Sequence, residues 1–149
     1  MIALTMLEAM HVYLASKAAI TTTAGVGARI YRITRPQTTS TLPAITYRKA
    51  SGQDVLHQGG TNDLAELRVE VECWGSTPAV CETIRTAVRD VCQMYSGTIT
   101  SGAESVVVVS MTVEDDLEMY DPPTDKSISG VFSAIVDVFV WWRAPVPTG

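Results

Sequence analysis

The chain has 149 residues, 46% hydrophobic and 18% charged, with a formal net charge of −5. That length predicts one domain over residues 1–149, able to bury about two-thirds of the surface its unfolded chain exposes. The acidic balance argues against a nucleic-acid grip, which needs clustered Lys and Arg. Met1–Met10 lacks a basic secretory start, and Val131–Trp142 is shorter than the ~20 residues of a membrane helix, so a soluble protein with no membrane partner is expected.

Ile2–Lys17 reads as a helix, because Ala3, Leu7, Met10 and Leu14 recur at helical spacing. The Thr- and Gly-rich stretch Thr21–Gly27 reads as a loop, and Arg29–Ile33 as a short strand. Ala44–Ala50 has strand character, and Ser51–Asn62, with three glycines, reads as a long hairpin tip. Leu64–Trp74 alternates strictly: Leu67, Val69, Val71 and Cys73 point one way, Arg68, Glu70 and Glu72 the other.

Thr77-Pro78 opens a second helix, since Thr caps well and Pro is tolerated in the first turn. Val80, Ile84, Ala87, Val88, Val91 and Tyr95 form its expected stripe, and Gly97 its expected end. Val106–Val113 is β-branched and almost wholly apolar, which predicts a strand covered on both faces. Asp115–Ser127 reads as an acidic turn. The last strand, Val131–Trp142, carries Ala134, Val136, Val138 and Val140 on one face. Ile135, Asp137, Phe139 and Trp141 lie on the other, which is too apolar for free solvent. Residues 144–149 read as an irregular tail. The order α-β-β-β-α-β-β predicts an α+β fold: a mainly antiparallel sheet of about five strands, with two helices packed on one face.

No catalytic, cofactor-binding or metal site is expected. Cys81 and Cys92 fall on one helix, about 16 Å apart, too far for a disulfide, and the three cysteines read as small buried hydrophobes. Calcium loops alternate oxygen ligands around a glycine, whereas Leu117, Met119 and Pro122-Pro123 interrupt the acidic stretch. His11 and His57 accompany no nucleophile motif. The aromatics Trp74, Trp141 and Trp142 sit among Glu70, Glu72 and Asp137, not among bases, so core or subunit contact is expected rather than base stacking.

Four short motifs stand in order: Leu42-Pro43-Ala44-Ile45-Thr46-Tyr47, Cys73-Trp74 before the second helix, Met119-Tyr120-Asp121-Pro122-Pro123, and Val140-Trp141-Trp142. With the elements between them they resemble the small tail-terminator, or tail-completion, proteins of long-tailed bacteriophages. The resemblance implies a non-enzymatic virion protein. It implies a ring, typically of six copies, on the head-proximal end of the tail tube, contacting the tail tube protein and the head–tail connector protein. DNA would pass through without specific binding. Interface candidates are Asp54, Val55, Leu56 and His57 at the long tip, Met119, Tyr120 and Asp121 in the acidic stretch, and Phe139 and Trp141 on the last strand. Another connector such as a stopper, a tube subunit, or a small acidic metal-binding enzyme at Asp115–Asp125 are the alternative readings.

Overall fold

In a computed structural model, the described residues are 5–32, 42–54, 64–102, 104–121 and 131–143. The first apolar stripe folds as helix α1 (Met6–Ala15), shorter than the expected Ile2–Lys17. Thr5 sets its start by accepting a hydrogen bond from the Glu8 N–H at 3.1 Å, and Glu8 places a carboxylate in the first turn, where the helix dipole favours it. Leu7, Met10 and Leu14 are buried as expected, and Met6, Ala9 and Tyr13 join them; Ala3 lies outside the described residues. The expected loop at Thr21–Gly27 is in part a π-helical turn, Ala19–Thr23, whose fully buried Ile20 anchors it to the core.

Six strands follow among the described residues, one more than the sequence predicts: β1 (Ile30–Arg32), β2 (Ala44–Asp54), β3 (Leu64–Gly75), β4 (Tyr95–Ser101), β5 (Glu104–Asp121) and β6 (Val131–Arg143), with helix α2 (Pro78–Cys92) between β3 and β4. The sheet order is β1-β2-β3-β6-β5-β4. It is mixed, because β1 pairs parallel to β2 while every other neighbouring pair is antiparallel. The additional strand is β4. Gly97 does not end α2 but lies within β4, at φ +155°, where a side chain would meet the Tyr95 hydroxyl at 2.9 Å. Tyr95 likewise belongs to β4, not to the helix.

Two other boundaries move for one reason: cross-strand pairing holds polar residues extended. Asp116–Asp121, expected as a turn, pairs with Val131–Val136 of β6. Ser51–Asp54, expected in the hairpin tip, pairs with Ala65–Arg68 of β3. Each extension follows a bulge, at Lys49/Ser51 in β2 and at Val113/Asp116 in β5. Bulges insert one unpaired residue and increase local twist, so pairing resumes in a new register.

The core lies between one sheet face and both helices. Leu67, Val69 and Val71 of β3 stand opposite Val140, Val138 and Val136 of β6, and all six are buried. Against them α2 lays Cys81, Ile84, Val88 and Cys92, spaced three and four residues apart on one face. The stripe is therefore centred on the cysteines, with Val80, Ala87 and Val91 at its margins. Thr77 accepts from the Val80 N–H at 3.2 Å and starts α2 where the sequence predicts. Gly75 makes the strand-to-helix joint possible, because a Cβ there would stand 2.9 Å from Val80 Cγ1. Tyr13 of α1 donates to the Val91 carbonyl near the end of α2, satisfying an acceptor in the last helical turn and tying the two helices together.

Candidate interaction surface

The second sheet face carries neither helix. β3 and β6 place on it the register pairs Glu66–Trp141, Arg68–Phe139, Glu70–Asp137, Glu72–Ile135 and Trp74–Ser133. The pair Glu70–Asp137 sets two carboxylates directly opposite each other, which is unfavourable unless each is compensated. Arginines from two strands do this: Arg48 of β2 meets Glu70 at 3.0 Å, and Arg68 meets Asp137 at 2.8 Å. The two pairs differ in solvation. The Arg48 and Glu70 side chains are 60% and 18% exposed, those of Arg68 and Asp137 40% and 10%. The Arg68 guanidinium also lies 5.7 Å from the Phe139 ring centre, shielding an aromatic that the alternation of β6 leaves on this face. Trp74 donates its indole N–H to the Thr46 hydroxyl at 2.9 Å, a link from β3 across to β2.

Of the predicted interface residues, Phe139 and Trp141 sit half-buried on this face, as their alternation requires. Next to them β5 contributes Val107 and Val109, 40% and 42% exposed. The expectation that both faces of Val106–Val113 are covered is thus corrected: Val106, Val108 and Met111 enter the core, while Val107 and Val109 face outward. Val109 does so at a bulge between Val108 and Ser110, beside the Ser110–Trp141 pair. Asp54 ends β2, and Met119, Tyr120 and Asp121 end β5, so these two groups occupy opposite ends of the sheet and do not converge. Val55, Leu56 and His57 lie outside the described residues. The Arg68–Asp137 pair was not among the expected contacts; the signal for it was the outward position of both residues, which needed only the β3–β6 register to bring them together.

Among the described residues no group of His, Cys, Asp and Glu is placed to hold a metal, and no helix is long and apolar enough to cross a membrane. The three thiols form no disulfide and are buried, as expected, that of Cys81 donating to the Phe132 carbonyl at 3.0 Å. Burial pushes the Cys73 thiol far above its ordinary range and that of Cys92 up to about 12. Thiols so raised are neutral at physiological pH, and the thiolate is the reactive form. A thiol reagent at neutral pH is therefore expected to label none of the three in the native protein and all three in denaturant; native labelling of one would place that cysteine outside the core.

The shape and the motifs meet in the comparisons. Residues 8–141 match the family model described as "Tail completion protein gp17". The chain belongs to this tail completion family. No curated protein matches it. A chain in the solved structure "Virion of native gene transfer agent (GTA) particle" has the same fold, with a TM-score of 0.64 at 10% identity, covering 89% of this chain and 90% of that one. The family makes this a phage tail structural protein.

Proposed function

We propose that the chain acts as a single tail-terminator domain. Six copies form a ring on the head-proximal end of the tail tube, stop its growth and present a surface to the head connector. The observation that carries this reading is the family match over residues 8–141. A sheet face clear of helices, with Phe139, Trp141, Val107 and Val109 on it, supports it by offering apolar area to a neighbour. The net charge of −5 supports a channel that does not hold DNA in transit. No catalysis belongs to this role. Particles made without the protein are expected to carry tails that do not join heads and whose tubes vary in length. Normal, head-joined tails in its absence would sink the proposal.

The Val55-Leu56-His57 segment is assigned to a contact with another subunit, the tube or the connector. Because Ser51–Asp54 is paired strand, the part to remove is shorter than the sequence alone indicates. Replacing residues 56–63 with Asn-Gly supplies the tight turn an antiparallel pair favours. The shortened protein is expected to keep its circular dichroism and melting temperature, and to lose ring formation or tail joining. Unfolding would assign the segment to the core, and normal tail completion would make it a passive spacer.

A further inference from the structure

Each outer strand of the sheet covers only half of its neighbour. On one side β1 pairs only with Ile45–Tyr47, so among the described residues Arg48–Asp54 of β2 have no strand beyond them. On the other side β4 pairs with β5 from Glu104 to Met111, so Thr112–Asp121 likewise have none. At the junction the Gln93 side chain accepts from the Val113 N–H at 2.6 Å, standing in for the missing strand by one residue. Two stretches of 7 and 10 residues with unpaired edges are templates for adding a strand.

The two edges fit each other. β2 is antiparallel to β3, β3 to β6, and β6 to β5, so β2 and β5 run in opposite directions. When copies are laid side by side in one orientation, β5 of one meets β2 of the next as an antiparallel pair. Their charges are opposite. The sequence of the β5 edge holds five carboxylates, Glu114, Asp115, Asp116, Glu118 and Asp121, and no base, while that of the β2 edge, with exposed Arg48 and Lys49 and a closing Asp54, is net +1. Pairing the β5 edge with its own copy would set carboxylates face to face, which is destabilising. The contact is then head-to-tail, the kind that closes into a ring or runs on as a filament.

The offset between the edges is compatible with closure. The row through Ser51 crosses β6 at Phe139, and the row through Leu117 crosses it at Ile135, four residues away. At strand rise this is about 13 Å, against ~19 Å for the four inter-strand spacings from β2 of one copy to β2 of the next. Strands tilted by about 35° from the ring axis absorb that shift, as tilt absorbs stagger in a closed barrel.

We infer that neighbouring copies of this chain join through their sheets, the open β5 edge (Thr112–Asp121) of one pairing with the open β2 edge (Arg48–Asp54) of the next. This rests on the ring reading and specifies its contact. The test is a charge exchange in the full chain. One variant carries Lys49→Glu with Ala50→Glu, the other Asp115→Lys and Asp116→Lys with Glu118→Lys, and circular dichroism melts verify that both are folded. Assembly is read by native mass spectrometry in solution and by electron microscopy on tails. Each variant alone is expected to lose at least tenfold in assembly, because each then has two edges of one sign. An equal mixture is expected to assemble, with the two variants alternating and only even-numbered rings formed. Folded variants that each assemble like the unmodified chain would overturn the inference, leaving the charges as guards against aggregation. A mixture that stays dissociated would overturn it too. Failure of the unmodified chain to self-associate in either setting would instead defeat the ring reading.

Discussion

Replacing Ile84 with Ala is expected to lower stability by about 2–5 kcal/mol. Ile84 is fully buried in the middle of α2, facing the valines of β3 and β6. Truncation removes its apolar transfer energy and leaves a cavity that the sheet cannot close, and large-to-small core changes fall in this range. Ala is the better helix former, but that gain is only ~0.4 kcal/mol and does not decide the sign. For a chain of this size the melting temperature should fall by roughly 5–20 °C. The exposed neighbour Thr86→Ala is the control, expected within about 0.5 kcal/mol of the parent. Equal effects at the two positions would mean that α2 does not cover the sheet as described.

The second large effect is expected on the helix-free face. Arg68→Ala takes the cation from Asp137, whose side chain is only 10% exposed and stands opposite Glu70. It also uncovers Phe139. Removing one partner of a buried pair is far more damaging than the pair is stabilising, because the remaining charge stays desolvated. Since Arg68 is 40% exposed, the expected loss is reduced to about 2 kcal/mol. Arg48→Ala, which breaks the more exposed pair with Glu70, should lose under ~1 kcal/mol. The double change Arg68→Met with Asp137→Leu should recover most of the loss, since neither charge then remains. Denaturant melts of the three variants decide this, and an Arg68→Ala loss no larger than that of Arg48→Ala would contradict the ordering.

Where the sequence was legible, local pattern and final environment agreed. The alternation of β3 predicts Leu67, Val69, Val71 and Cys73 as core residues, and all four are buried. Thr77 and Pro78 announce the start of α2 because capping is decided within one helical turn. β4 was not legible, because an edge strand needs little apolar content: of Tyr95–Ser101 only Ile99 is buried. The acidic half of β5 was misread for a related reason. Its residues favour turns, and only pairing with β6, which no local signal reports, keeps them extended. The parallel pairing of β1 with β2 is a tertiary fact of the same kind. For the surface, alternation placed Phe139 and Trp141 correctly. The outward Val107 and Val109 were hidden because a run of four valines shows no period.

The central claim is that this tail completion protein is the ring that closes the tube at its head-proximal end. A cryo-electron microscopy map of isolated, completed tails tests it most directly. One ring of six copies is expected at the head-proximal end of the tube and nowhere else. Density for this chain repeated along the tube, or found only at the distal tip, would contradict the account.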